Sequence, residues 1–326
     1  MRSYDWALFL KSALLAAIAF SGSSIAAEPF PTKPIRIVVP FPPGGGVDTL
    51  ARQIAPPLSE VLGKQLVIDN RAGGGGLIGN QIVAQARADG YTLLLQGIPF
   101  VVAPQLSSAT GYDAEKDFTP VALVASTPIV LVVHPSVPAK SLKEFVAHAK
   151  AQGGKLNMAS GGSGATAHLA AELFRLVTHS PFTHIPFKGM GPAVADVIGG
   201  RVHSIFATLP SALAHIQAGR LKALVVTSPK RSQSAPDLPT TAEAGYPALH
   251  VVNWYGVLAP DGVPSAAANQ ISAAVGEVLQ RNDIRERLAG SGLDPSFAAA
   301  REFQQFLRDE VERWTRVVKA SGMRVE

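Results

Sequence analysis

An α/β protein of two facing lobes is what the 326 residues predict, on three observations. Short β-branched runs alternate with amphipathic helical periods along the chain, the pattern of mostly parallel strands with helices laid over them. Two of the strand-to-helix junctions, one near the N-terminus and one near the middle, pass through glycine-rich turns. The length, with 47% hydrophobic and 16% charged residues, exceeds one average domain and suffices for two with cores of their own. Two such turns in one chain point to two lobes that each offer backbone donors to one ligand.

The first junction organises the rest. Ile35–Val39 is a β-branched run short enough for a buried strand. Residues 40–46 contain no side chain that donates a hydrogen bond, and Val47 or Asp48 opens a helix carrying Leu50, Ile54 and Leu58 on one face. The first N–H groups of a helix lack partners and its dipole favours negative charge, so strand, glycine turn and helix start make an anion site. The candidate ligand contacts are Phe41, Pro42, Pro43, Gly44, Gly45 and Gly46. Alternatively the glycines only turn the chain. Asp48 suits the helix dipole as a structural residue, and beside an anion it would repel unless the ligand also carries an amine or a hydroxyl.

Residues 66–69 are a second strand, 70–76 a glycine loop, 77–87 a helix and 91–95 a third strand, which delivers Gln96 and Gly97 as further candidates. Residues 118–133 hold two apolar segments broken near Ser126-Thr127-Pro128, a candidate crossing between lobes. Ser141-Leu142-Lys143-Glu144 is a capping box heading a helix to about Gln152. The second junction spans 155–168, with a helix expected over 166–177 and Ser160, Gly161, Ser163, Gly164, Ala165, Thr166 and His168 as candidates. A strand follows at 182–186. Pro192, an N1-type proline, opens a helix to Ile198. Residues 202–206 are a strand, 209–218 a helix, and 221–227 a strand and candidate return crossing. A polar, proline-rich loop covers 230–239 and a strand 251–258. Two or three helices come last, the final one with Phe303, Phe306, Val311, Trp314 and Val318 on its apolar face. Phe41, Phe100, Phe187 and Trp254 have core positions as their default, but Phe41 and Phe100 follow strand ends, where α/β clefts lie.

Composition narrows the function. A net charge of +5 comes from scattered cations with no basic run interleaved with aromatics, which argues against nucleic-acid binding. Arg2, Lys11, the apolar stretch 13–20 and the small residues Ser24-Ile25-Ala26-Ala27 read as an export signal cleaved after Ala26 or Ala27. The alternative is an N-terminal anchor, for which the apolar run is short against the ~20 residues of a span. The absence of cysteine excludes disulfides, thiolate ligands and a Cys nucleophile, so an exported chain of this kind must rest on its core.

No motif demands a cofactor. Gly74-Gly75-Gly76-Leu77-Ile78-Gly79 and Gly162-Ser163-Gly164-Ala165-Thr166-Ala167 match dinucleotide-turn patterns, but neither is followed by the acid that would hold a ribose. The eight histidines form no metal-ligand spacing. Ser163 in Gly162-Ser163-Gly164 has part of a nucleophile elbow, yet Ala165 stands where the motif requires glycine. A serine binding a ligand or capping a helix is the better reading, with an exported serine hydrolase as the rival. His168 stays open between a ligand contact and a core or capping residue.

Nine ordered motifs then converge. They include Pro31-Thr-Lys-Pro-Ile-Arg-Ile-Val-Val-Pro40, Pro43-Gly-Gly-Gly-Val-Asp48, Asp69-Asn-Arg-Ala-Gly-Gly-Gly-Gly76, Ala88-Asp-Gly-Tyr-Thr92, His184-Ile-Pro-Phe-Lys-Gly189 and Trp254-Tyr-Gly-Val-Leu-Ala-Pro260. With them the chain resembles the substrate-binding proteins of tripartite tricarboxylate transporters, often called Bug proteins. The resemblance implies a two-lobed, type II-like periplasmic binding protein. Each lobe would be a mixed β-sheet flanked by helices, with two crossing strands as the hinge. Lobe 1 would comprise 28–124 and 227–326, and lobe 2 would comprise 125–226. It implies a monomer without cofactors that holds a small organic carboxylate through backbone N–H groups and waters, between loops 41–48 and 160–166, for membrane transporter subunits. A ligand-sensing role in signalling is a third reading. Phe187 joins the candidates, as does Ala207, which stands where the family commonly has an acid after Phe206. The apolar tract 96–100 points to a ligand with an apolar or aromatic body and one or two carboxylates.

Overall fold

The computed structural model describes residues 30–106 and 110–323, and the expected leader at 1–27 lies outside them. In chain order come β1 (Ile35–Val39), α1 (Gly46–Leu62), β2 (Leu66–Asn70), α2 (Leu77–Ala84), β3 (Thr92–Gln96) and α3 (Pro99–Leu106). β4 (Phe118–Val133) leads to α4 (Leu142–Ala151), β5 (Asn157–Ser160), α5 (Thr166–Thr178), β6 (Thr183–Pro186), α6 (Met190–Ile198), β7 (Ser204–Thr208), α7 (Leu209–Gln217) and β8 (Lys222–Val226). Last are β9 (Val252–Pro260), α8 (Ser265–Gln280), α9 (Asn282–Gly290), β10 (Asp294–Ala299) and α10 (Ala300–Ser321).

The strands form one path, β2-β1-β3-β9-β4-β7-β5-β6, with β8 and β10 both pairing β4. β1, β2 and β3 are parallel, as are β5, β6 and β7, because a helix returns the chain between them. β4 joins the two halves. Its residues up to Pro128 pair with β9, and from Ile129 onward they pair with β7 and β8. The chain comes back beside this changeover, where Thr227 N–H donates to the Ile129 carbonyl (2.8 Å) and Val251 N–H to the Thr227 carbonyl (3.1 Å).

Three apolar clusters support the sheet. One gathers β1, β3 and β9 with α1 and α8, through Ile35, Leu50, Ile54, Tyr255 and Ile271. A second lies under β7, α6 and α7, through Val194, Val197, Ile205 and Leu209. The third spans both halves, from Leu94 and Phe100 to Phe145, Phe174 and Phe206. It carries α10 through Phe303, Leu307, Trp314 and Val318, at the three-to-four spacing of one helix face. Within it the buried Glu310 carboxylate accepts from both the Trp254 and the Trp314 indole N–H, each at 2.9 Å. A buried carboxylate is costly unless hydrogen-bonded, and these two donors with Arg313 supply its partners.

The structure departs from the sequence reading at several elements. The two segments expected over 118–133 are one continuous strand, its pairing shifted between Pro120 and Ala122 and between Leu123 and Ala125. Pro128 fits because it sits at the changeover between partners, where the ladder has least to lose. The helix expected to Arg87 stops at Ala84. Pro192 is the third residue of α6, not the first, which still leaves it in the turn whose N–H groups have no helical partner. The segment expected as the return crossing, 221–227, is β8 on β7's half up to Val226, and only its last residue, Thr227, lies at the changeover, where Val251 bonds to it. α3 and β10 were not anticipated. Phe100 is fully buried, packed 4.9 Å from Phe118 and 5.7 Å from Tyr112 between ring centroids, and is a core residue.

Candidate functional site

The carboxyl ends of β1, β3, β5 and β7 face one space of about 490 Å³ between the two halves of the sheet. Its wall contains Phe41, Gly45, Gly46 and Val47 from the first junction, and Gln96, Gly97 and Pro99 from the end of β3. Gly161, Ala165 and Thr166 come from the second junction, Met190 from α6, Thr208 from the end of β7, and Asn253 and Tyr255 from β9. Asn253 and Tyr255 are two apart on a strand, so they share a face, while Trp254 between them turns to Glu310 on the other.

Five helices begin in this wall, α1, α3, α5, α6 and α7. The N-cap residues of α1, α5, α6 and α7, which are Gly45, Ala165, Gly189 and Thr208, make no side-chain capping bond. Each helix start carries about half a positive charge, and its first N–H groups are free to point at a ligand. Among the described residues no charged side chain lines the space. Its polar character therefore comes from main-chain donors and neutral side chains.

Both turns are pinned from behind. The buried Asp48 carboxylate accepts from Gly44 N–H (3.0 Å), Arg52 (2.9 Å) and Asn70 (3.0 Å), and the same Asn70 amide donates to the Phe41 carbonyl (3.0 Å). Burial works against the Asp48 charge, but the bonds from Arg52, Gly44 and Asn70 outweigh it and hold the carboxyl below its usual range. On the other side the Ser160 hydroxyl meets His184 Nε2 (2.6 Å) and accepts from Gly162 N–H (3.1 Å), while His168 Nδ1 accepts from Gly164 N–H (3.1 Å). His168 and His184 stack with centroids 3.9 Å apart and planes 2° from parallel. Burial first, then the charge of Arg175, lowers His168 to about 4. Burial and His168 lower His184 to about 4. With Nδ1 accepting, neutral His168 carries its proton on Nε2, toward Glu172 at 3.9 Å.

A wider vestibule of about 1220 Å³ opens beyond, lined by Phe41, Pro42, the 72–77 loop, Gly161 to Ser163, and Phe187 to Gly189. The two halves approach closely across it. A Cβ on Gly75 would come within 2.7 Å of the Ser163 carbonyl, and one on Gly189 within 2.6 Å of the Pro42 ring. Deeper in, Thr166 Oγ1 donates to Asn253 Oδ1 at 3.0 Å, a buried bond between the halves.

Of the sequence candidates, Phe41, Gly45, Gly46, Gln96, Gly97, Gly161, Ala165 and Thr166 line the inner space, and Pro42, Ser163 and Phe187 line the vestibule. Pro43, Gly44, Asp48, Ser160, Gly164, His168 and Ala207 line neither. Asp48, Ser160 and His168 hold the turns, and Ala207 is fully buried in the cluster under β7. Gln96 is spent internally, since its Oε1 accepts from Gly97 N–H (2.8 Å) and its amide donates to Asn80 (3.2 Å). Ser163 has no histidine bonded to it among the described residues, because the ring beside it serves Gly164. Sequence reasoning missed Val47, Pro99, Met190, Thr208, Asn253 and Tyr255. The alternation Asn253-Trp254-Tyr255 on a strand was a readable signal for the last pair.

Comparison with known proteins agrees with this geometry. Residues 50–323 match the family model described as the tripartite tricarboxylate transporter family receptor. Protein BugT of Bordetella pertussis is 38% identical over 312 residues, covering 95% of this chain and 96% of its own. The structure of the periplasmic binding protein BugD superposes with a TM-score of 0.87 at 31% identity, over 91% of this chain and all of that one. R. palustris Rpa4515, solved with adipate, gives 0.88 at 35% identity over 90% of this chain and 99% of its own. The fold is that of the periplasmic solute-binding proteins, mixed α/β with helices flanking the sheet.

Proposed function

The chain belongs to the tripartite tricarboxylate transporter receptor family, the Bug proteins, and from that premise we propose that it captures a small organic carboxylate between two lobes in the periplasm and presents it to a membrane transporter. The observation that carries the proposal is the meeting of four uncapped helix starts on one space without a charged side chain. Such a wall suits an anion held by N–H groups and bridging waters. The adipate in the R. palustris relative is an acid of this kind.

Lobe 1 is taken as 28–124 with 227–326 and lobe 2 as 125–226. The changeover on β4 after Pro128 and the return at Thr227 and Val251 support that division. The ligand favours the closed form because only there do donors from both lobes reach it, and the shift cannot exceed its differential affinity for the two forms. Binding rather than bond cleavage is the proposed role, supported by the Ser163 hydroxyl having no histidine bonded to it among the described residues. Export follows from the leader, with cleavage near Ala26 or Ala27.

Thermal unfolding against a panel of carboxylates tests the reading. An acid at 100 times its Kd should add about 2.7 kcal/mol of stability. A panel in which no acid raises the midpoint, or in which ester hydrolysis is found and then lost in Ser163→Ala, would overturn it.

A further inference from the structure

The inner space and the vestibule carry one charge between them. Among the described residues, Lys188 is the one charged side chain in the wall of the vestibule, and the inner space has none. Lys188 is exposed, and its ammonium has no hydrogen-bond or ion-pair partner among the described residues. Its backbone is fixed on both sides. Phe187 N–H donates to the Ser160 carbonyl (2.9 Å), and Gly189 packs so closely on the Pro42 ring that no Cβ fits between them. The lysine is thus rooted in the turn between β6 and α6, where the two halves approach.

The two spaces share Phe41 and Gly161 in their walls, so they are neighbouring parts of one cleft. The way from one to the other is apolar, since Phe41, Pro42, Leu77 and Phe187 all line the vestibule. On the opposite half, Gly73 to Gly76 follow one another at positive φ, and that wall presents backbone with no side chain to fill the room or to neutralise the lysine. A carboxylate in the inner space meets N–H groups of the helix starts. A second one held there would add a like charge at close range where no cation offsets it. An acid with an apolar middle can reach past Phe41 instead, to a place where counter-charge and water are both present.

Resting on the carboxylate reading above, we propose that the vestibule is a second subsite, in which Lys188 pairs with the far carboxylate of an elongated diacid. The near carboxylate sits at the helix starts and the methylenes lie against Phe41 and Phe187. Lys188 therefore selects by the length of the acid and by the charge at its far end, and it takes no part in holding the first carboxylate.

Calorimetric titration of the purified protein with succinate, adipate and suberate, each against its own monoamide, tests this, because the monoamide keeps the shape of the far end and removes its charge. The expected result at low salt is that adipate or suberate binds at least about threefold more tightly than its monoamide, with a smaller gap for succinate. Raising the salt from about 0.01 M to about 0.15 M should narrow the gap, since exposed charges are screened. Lys188→Met should close it to under about 1.5-fold while the monoamide affinity and the melting temperature without acid stay as they were, because the side chain holds nothing else. A gap that is absent at every length, as wide for succinate as for suberate, unmoved by salt or kept in the Met variant overturns the proposal and leaves the carboxylate reading standing. So does a Met variant that melts well below the parent or loses its monoamide affinity too, since the lysine would then be shaping the cleft. Binding of other acids of the thermal panel but of none of these compounds overturns this inference alone. If no acid binds at all, the carboxylate reading falls and this inference with it.

Discussion

Single side chains at the turns do unequal work, and the difference can be measured. Asp48 is buried and its carboxylate accepts three bonds, whereas its partner Arg52 is more than half exposed. Removing the acid leaves Gly44 N–H and Asn70 without their acceptor, so Asp48→Ala should cost about 1–3 kcal/mol. Arg52→Ala removes one charge-assisted bond on the exposed side and leaves the Gly44 and Asn70 donors on the buried carboxylate, so it should cost less, about 1 kcal/mol. Equal losses in urea unfolding would mean that the ion pair, not the hydrogen bonds, secures the turn. Gly46→Ala should abolish acid binding, because its methyl group needs the place of the Tyr255 hydroxyl, and overpacking there should cost about 1–3 kcal/mol. The stacked histidines make stability depend on pH. Both stay neutral in the folded chain down to about 4, while the unfolded chain takes up their protons near 6.5. As pH falls from about 6.5 toward 4 the unfolded state binds more protons, so stability declines, by up to about 1.4 kcal/mol per pH unit for each proton. A urea midpoint that stayed flat over that range would show that neither ring is buried uncharged.

At the scale of elements, the two strand–turn–helix junctions were legible because glycine, strand and helix signals are local. Ile35–Val39 has its expected ends, Gly46–Leu62 begins within two residues of its expected start, Thr166–Thr178 ends one residue beyond expectation, and Asn157–Ser160 falls inside the stretch 155–168 expected to pass from strand to helix. β4 was read as two pieces because Pro128 breaks the local pattern, and only its long-range partners make it one strand. α3 starts at a proline and carries another inside, so its helicity comes from burial against Tyr112 and Phe118 rather than from propensity. The inner wall was half legible. Residues of the turns were named, whereas Thr208, Asn253 and Tyr255 reach it through pairing with distant strands, and the alternation around Trp254 tells only that Asn253 and Tyr255 share a face, not which space that face meets. The 72–77 loop makes a prediction of its own. Gly75 has φ +68 and faces the Ser163 carbonyl across the vestibule, so Gly75→Val should weaken acid binding by blocking the approach of the halves. Unchanged affinity in that variant would detach this contact from binding.

For the molecule as a whole, the proposed closure would turn on the single sheet's change of partners along β4. The two halves meet along β4, at the return beside it, across the mouth and in the third apolar cluster, while the other two clusters each belong to one half, so closure would be a hinge motion about that shared cluster. Small-angle scattering should therefore report a smaller radius of gyration with a bound acid than without. An identical radius in both states would argue for a rigid receptor. The Glu310 clasp adds a practical consequence. One indole it holds belongs to the residue flanked by two cavity-wall side chains, and the other sits on the C-terminal helix. Any shift of that strand on ligand entry should alter the emission of a native fluorophore, so an unlabelled sample carries its own optical gauge of occupancy.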